Sequence, residues 1–252
     1  MKKLIILRRF SQGMFFIVFA CMFLCPAAYF LKGITASLKT VFSSNPNIII
    51  FTSISSRIFL PGLIFSGLML LLTLILGRFF CGWICPLGTV LDLTGALNKR
   101  RIILKDSVNK KLRKIKFLLL TVIFIYAIFG INIAWFFDPL GILARVLFVW
   151  QMLTRTTIMT IGLFLIIVST AFFFSRLWCR SLCPLGAIYS IFARKSFLTR
   201  KVEKCSTCGV CRPACRMGAI KQDAGYVKGE CVLCMDCVYA CPEHRTKFGF
   251  RK

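Results

Sequence analysis

The chain is poor in acid and almost without histidine: its 252 residues hold 8 Asp and Glu against 34 Lys and Arg, and one His. Chemistry that runs through carboxylate pairs or histidine relays has little to draw on. No nucleophile beside a base and no phosphate-cradling glycine loop can be picked out, so bond-making catalysis is not expected. The one His, His244 beside Pro242, reads as a surface residue, and no helix can offer a bis-His pair, which argues against haem.

Charge is also absent in blocks. Phe10–Leu31, Ile58–Gly77, Phe117–Phe137 and Thr156–Ser175 carry no charged residue, and each is 20 to 22 residues long. The chain is 58% apolar with a mean hydropathy of +0.80, a membrane-protein composition. About 20 helical residues cross ~30 Å of hydrocarbon. The expected fold is therefore mainly α, with a four-helix integral membrane domain. "VFAC" at 18–21 weakly resembles a lipobox, but the first apolar run is longer than a signal peptide needs, so a retained helix is expected. A further uncharged stretch, Thr40–Ser56, holds five serines, two asparagines and an Asn-Pro step, and reads as loop. Ile142–Leu153, with Arg145, Trp150 and Gln151, reads as an interfacial helix lying on the surface.

The net charge of +26 could suggest nucleic acid, but its distribution does not. Four Lys and Arg precede the first run, ten lie between the second and third, and fifteen follow the fourth; five occupy the remaining two connections. By the positive-inside rule both termini and the central loop face the cytoplasm, and the protein sits in a bacterial-type inner membrane as a multi-pass chain. The basic run 98–116 is then a topology signal facing anionic lipid, or a docking surface for an acidic partner.

What is abundant is cysteine, fourteen in all. Eight lie in the last forty-eight residues, as Cys205, Cys208, Cys211, Cys215 and Cys231, Cys234, Cys237, Cys241. Each set reads C-x2-C-x2-C-x3-C, the spacing of a two-cluster ferredoxin, in which the fourth Cys of each run ligates the other cluster. Cys205, Cys208, Cys211 and Cys241 are expected to hold one [4Fe–4S]; Cys231, Cys234, Cys237 and Cys215 the other. Disulfides do not suit a cytoplasmic domain, and zinc sites use simpler C-x2-C pairs. Cys241 is followed by Pro242 as the pattern asks, whereas Cys215 is followed by Arg216. Arg212 and Arg216 either raise the second cluster's potential or are solvated. The segment "AIKQDAGYVKGEC" reads as a short hairpin turning at Ala-Gly. The chain thus divides into 1–198, the membrane domain, and 199–252, a small ferredoxin-like α+β domain.

The membrane part repeats itself. "GRFFCGWICPLGTVLDL" (77–93) aligns with "SRLWCRSLCPLGAIYSI" (175–191), ninety-eight residues on. Arg78 and Arg176, both Cys pairs and both Pro-Leu-Gly steps match. Each copy ends an even-numbered apolar run, so the hairpins form a parallel repeat, usually related by an axis along the membrane normal. That axis would face Cys81 and Cys85 toward Cys179 and Cys183 at the cytoplasmic edge. Four thiolates suit a third iron–sulfur cluster, most simply [4Fe–4S]. Two separate redox thiol pairs, a bound metal ion, or structural Cys-Pro helix ends are the alternatives. The arginines would offset the cluster's charge or snorkel to headgroups.

Two further features stay open. Asp138, in "DPLG", ends the third run on the outer side, as a helix stop or as a proton acceptor near a quinol. Cys21, Cys25 and Pro26 form a third C-x3-C-P with no partner in the repeat, and read as inert helix cysteines, redox-active thiols or a membrane-embedded cluster.

Two C-x3-C-P motifs after apolar helices, followed by a two-cluster ferredoxin tail, resemble the NapH/NosR-type membrane ferredoxins over nearly the whole chain. The resemblance implies four spans, cytoplasmic termini, quinol oxidation and electron delivery to respiratory or maturation partners. NosR-type members add a periplasmic flavin domain, which this sequence lacks, so NapH is the nearer type. Expected partners are the lipid membrane and other redox subunits: an FMN-binding protein, a multihaem cytochrome or a ferredoxin. The rival reading is a redox regulator or metalloenzyme maturation factor. A redox-energised transporter would need polar groups at mid-membrane, and the four runs offer no charge there.

Overall fold

Each Cys-x-x-x-Cys-Pro motif folds the same way. A short helix carries the first Cys, the second Cys stands in extended backbone, and the proline opens the next helix, where its missing N–H is no loss. The computed structural model describes residues 2–24, 45–98, 102–147, 155–202, 205, 208–243 and 245–250. In it the short helices are α4 (Phe79–Trp83) and α10 (Leu177–Ser181), and the proline helices are α5 (Pro86–Leu97) and α11 (Pro184–Ala193). The ninety-eight-residue offset of the sequence repeat holds at both starts. Pro86 and Pro184 therefore begin helices rather than only ending the runs before them.

Before each motif stands an apolar helix, α3 (Gly62–Leu76) in the first repeat and α9 (Arg155–Phe173) in the second. The others of this part are α1 (Lys2–Leu24), α2 (Pro46–Ser56), α6 (Asp106–Ile128), α7 (Ala134–Phe137) and α8 (Pro139–Leu147). Within α1, Lys3–Phe23 has a hydropathy of 1.6 and is the one helix among the described residues long and apolar enough to cross a membrane. Gly62–Leu76, Ile158–Phe173 and Pro184–Ala193 are apolar but shorter.

Three expectations are corrected here. Thr40–Ser56 is not all loop: Asn45 caps α2 by accepting from the Asn47 amide at 3.0 Å, and Pro46 opens it. Three of the five serines lie at the far end of α2, where Ser55 donates to the Gly130 carbonyl at 2.6 Å and Ser56 to its own helix; 40–44 fall outside the described residues. Second, 142–147 does not lie on the surface. It belongs to α8, whose residues 139–144 are buried against α1, α5 and α9; 148–153 fall outside the described residues. Third, Phe117–Phe137 is not one helix. α6 stops at Ile128, the chain turns at Gly130 (φ 83°), and α7 leads back inward.

That return takes Asp138 into the protein interior. The Phe137 ring stacks on Trp178, next to Cys179, with centroids 6.4 Å apart. Asp138 is fully buried; Oδ1 accepts from Asn45 and Asn47 at 2.9 and 3.1 Å, and Oδ2 from the Leu140 and Gly141 amides at 3.1 and 3.0 Å. Both [Asn/Asp]-Pro helices, α2 and α8, thus start from one buried polar knot, and Asp138 caps one while tying down the other.

The C-terminal part is a two-stranded antiparallel sheet, β1 (Leu198–Val202) with β2 (Thr246–Phe250), holding cysteine-bearing loops and two single-turn helices, α12 (Cys211–Ala214) and α13 (Asp236–Tyr239). The expected hairpin shrinks to one bridge, Ile220 with Tyr226, turning at Ala224 in left-handed backbone (φ 57°).

Candidate metal centres

Cys81, Cys85, Cys179 and Cys183 are all buried and share one apolar cluster with Leu87, Leu185 and Trp178. The pairs lie within electrostatic reach of each other. Burial pushes the Cys179 thiol up to about 11 against the pull of Arg176, and Cys81 adds to the rise. Burial raises Cys183 as well, with Cys179 and Cys81 next in effect. Among the described residues no three Cys, His, Asp or Glu side chains close in as a single bound ion requires. A polynuclear cluster, which meets each thiolate through a different iron, does not need that convergence.

The surroundings fit an anionic group. Arg78 and Arg176 do not snorkel; both are fully buried. A Cβ on Gly186 would meet Arg78 Nη2 at 2.7 Å, and one on Gly88 would meet Arg176 Nη2 at 3.5 Å, so each arginine reaches across to the other repeat's glycine. Arg78 Nε and Nη2 are buried donors with no protein partner. An orphaned guanidinium edge among four buried cysteines is costly unless something negative receives it.

The eight C-terminal cysteines sort into two cavities. Cys205, Cys208, Cys211 and Cys241 line one, with Arg200, Arg212 and Arg245 at its walls. Cys215, Cys231, Cys234 and Cys237 line the other, closed by Met217, Ile220 and Phe248. The fourth Cys of each run thus lies with the first three of the other. The two differ in exposure: Cys205 and Cys208 are exposed, whereas Cys234 and Cys237 are buried.

The second set sits on the first Cys-x-x-x-Cys-Pro motif. Trp83 Nε1 donates to the Leu233 carbonyl at 3.1 Å, and Arg8 donates to the Cys234 carbonyl at 2.9 Å and the Gly82 carbonyl at 3.2 Å. A Cβ on Gly82 would overlap the Val232 carbonyl oxygen, so glycine is what lets the two backbones touch.

Two ion clusters clamp this contact, and sequence reasoning missed their acids. Asp92 receives Arg176 Nε and Nη2 at 2.7 Å each, Arg216 at 3.1 Å, Gln12 at 3.0 Å, and Arg8. Burial would raise its pKa, but these arginines outweigh that and hold the carboxyl well below the usual range. Glu230 receives Arg78 at 2.9 Å, Lys116 at 2.5 Å and Ser190 Oγ at 3.2 Å. Arg216, next in sequence to Cys215, is not solvated but held between Asp92 and Asp236 beside the second set, and Arg212 pairs with Asp106 at 3.0 Å. The available signal was scarcity: with 8 acids in the chain, one inside the repeat and one preceding Cys231 were candidates for buried pairing. Cys21 is exposed on α1, and Cys25 and His244 lie outside the described residues.

This is the architecture of an iron–sulfur protein, and a 4Fe-4S binding domain family matches the chain twice, over residues 58–105 and 156–205. Each match contains one Cys-x-x-x-Cys-Pro motif. An uncharacterized protein of Methanocaldococcus jannaschii is 28% identical over 99% of this chain and 98% of its own length. The ferredoxin-type protein NapH of Haemophilus influenzae is 27% identical over 75% of this chain and 68% of its own. The regulatory protein NosR of Pseudomonas aeruginosa is 28% identical over 63% of this chain, which is 23% of NosR. The chain belongs to the NapH/NosR-type ferredoxin family. No solved structure matches it.

Proposed function

We propose that the chain is a membrane-bound electron-transfer subunit that passes electrons between quinol, or another membrane redox partner, and a cytoplasmic partner, along three iron–sulfur centres. The observation that carries this reading is the seating of the Cys231–Cys237 loops on the Cys81–Cys85 turn through Trp83, Arg8 and Gly82. It makes a line of three cysteine sets: the four repeat cysteines, then Cys215 with Cys231, Cys234 and Cys237, then Cys205, Cys208, Cys211 and Cys241.

Clusters of this kind accept and release one electron at a time without moving their ligands far. The chain's own residues do the rest. The apolar shell of Leu87, Leu185 and Trp178 keeps water from the first set. Arg78 and Arg176 balance negative charge there, and the exposure of Cys205 and Cys208 leaves the last set open to a partner.

A bilayer around 1–198 is supported by the apolar side chains left outside. Ile64, Leu68, Leu118, Phe129, Leu165 and Ile166 are each more than half exposed, on the helices or helix ends of three of the four uncharged runs. The charge asymmetry supports one orientation, with the Arg8–Asp92 and Lys116–Glu230 pairs at the cytoplasmic end and the Ser55–Gly130 contact at the other. On this reading the four runs enter the membrane, with α2 and α7–α8 as re-entrant pieces whose backbone is buried in protein.

A quinol suits the apolar cavity between α1, α3 and the first motif, lined by Phe19, Met69, Phe80, Ile84 and Leu140, with Asn45 as its polar end. It opens beside the residues flanking Cys85. Asp138 lies behind Asn45 with both oxygens engaged by four donors, which favours the capping role over proton acceptance. In the anaerobically purified full chain, a water-soluble quinol should reduce the clusters, and Leu140→Trp, which fills the cavity, should slow that reduction while dithionite still reduces all of them. Equal quinol rates in both proteins would sink the quinol assignment.

A further inference from the structure

The two repeats treat their matching arginines differently. Arg176 has every guanidinium nitrogen engaged: Nε and Nη2 on Asp92 at 2.7 Å, and Nη1 on the Cys81 carbonyl at 2.9 Å. Arg78 uses Nη1 alone, on Glu230 at 2.9 Å and the Gly229 carbonyl at 3.4 Å, and leaves Nε and Nη2 free. The acids differ too. The residue ninety-eight positions after Asp92 is Ser190, so the second repeat has no carboxylate of its own for Arg78. Ser190 Oγ instead donates to Glu230 Oε1 at 3.2 Å. The C-terminal domain has placed its own acid where the repeat lacks one, with Lys116 holding it from the other side at 2.5 Å. Gly229 is part of the fit, since a Cβ there would meet the Ser190 carbonyl at 2.8 Å.

We propose that Glu230 is a positioning residue that completes the second repeat from the tail: it holds Arg78 with Nε and Nη2 unpartnered beside Gly186, where Cys179 and Cys183 also lie, and so sets the reduction potential of the centre between the repeats. This rests on the reading that Cys81, Cys85, Cys179 and Cys183 hold an iron–sulfur centre. The physical basis is simple. Reduction adds negative charge to that centre, and a desolvated cation with free donors stabilises the reduced form. A cation kept in place by a carboxylate stabilises it less than a cation alone, so the pair tunes the potential in two directions. Arg176, saturated by Asp92, has less to offer. The first centre would then reach its working potential only with the tail docked.

The test is a potentiometric titration followed by electron paramagnetic resonance, with iron analysis, on the full chain prepared anaerobically. Glu230→Gln keeps an acceptor for Arg78 but removes the charge, and should raise the midpoint of the repeat centre. Arg78→Gln should lower it. The Cys205 centre, away from both residues, should hold its midpoint in each. The double variant Ser190→Asp with Glu230→Gln returns a carboxylate to the position that Asp92 occupies in the first repeat, and should restore the wild-type midpoint. Because Glu230→Gln leaves Lys116 and Arg78 without an anion and can fail to assemble, the double variant also decides by itself. Its assembly with the wild-type potential supports the proposal; its failure to assemble, or a shifted potential, overturns it. Unchanged midpoints in both single variants with about twelve irons retained would overturn it while leaving the third centre standing. About eight irons in the wild type would overturn the third centre, and this proposal with it.

Discussion

Replacing Gly82 by alanine should lift the C-terminal part off the Cys81–Cys85 motif. The added methyl group would overlap the Val232 carbonyl oxygen, a backbone atom that no side-chain rotation can move aside. Either α4 tilts or the Val232–Cys234 loop withdraws. Overpacking of this kind costs about 1–3 kcal/mol. Withdrawal also breaks the bonds from Trp83 to the Leu233 carbonyl and from Arg8 to the Cys234 carbonyl, 3.1 and 2.9 Å long. Each lost bond costs about 0.5–1.5 kcal/mol net. A total near 4 kcal/mol would shift the docking equilibrium by roughly a thousandfold. Two assays read it: protease or hydrogen-exchange protection of residues 228–235, and the rate at which electrons supplied by quinol reach the tail clusters. Both should fall in Gly82→Ala. Gly67→Ala and Gly162→Ala are the controls, since a methyl group there meets nothing within 4 Å. A Gly82→Ala protein with the protection and rate of those controls would refute the seating described here.

Asp92→Asn should destabilise the folded chain by about 3–5 kcal/mol, since it leaves Arg176 buried without its anion and leaves Arg8 and Arg216 with Asp236 alone. Because the folded pKa of Asp92 lies below its unfolded value, its contribution is complete above about pH 4 and is lost as pH falls further. The gap between wild type and Asp92→Asn in thermal unfolding should therefore be constant from about pH 8 to 5 and close only below about pH 4; a gap that widens with acid would contradict this. Cys241→Ser in the full chain should remove the centre that Cys205, Cys208 and Cys211 share and spare the one beside Cys231; the reverse pattern would show that ligation does not cross. A reporter inserted in the exposed 57–60 turn should behave as external, and one fused after residue 252 as cytoplasmic, and an exchange of those signals would overturn the topology.

How much of this was legible in the sequence follows from what each signal depends on. Spacing is local, so the two C-x2-C-x2-C-x3-C runs and the repeated Cys-x-x-x-Cys-Pro declared themselves, and the repeat even implied that Arg78 and Arg176 would be related by symmetry. The two Asn/Asp-Pro steps, at Asn45 and Asp138, read singly as a loop and a helix stop or proton acceptor. Their meaning lies in the contact between them across ninety-three residues, where one caps the helix whose start the other completes. The same holds for Glu230. Nothing in its neighbourhood distinguishes it from a solvated acid; its role appears only against the serine at 190 and the arginine at 78. Uniform apolar runs also hide turns. Phe117–Phe137 carries no charge to interrupt it, yet the Gly130 turn folds its end back into the protein, which hydropathy alone does not register.

The proposed electron relay depends on the centre between the repeats. An anomalous iron map of the anaerobically purified full chain should show three features, one of them bridging Cys81 and Cys85 to Cys179 and Cys183. Two features confined to the C-terminal domain, with the two cysteine pairs of the repeats joined by nothing or by disulfides, would contradict it.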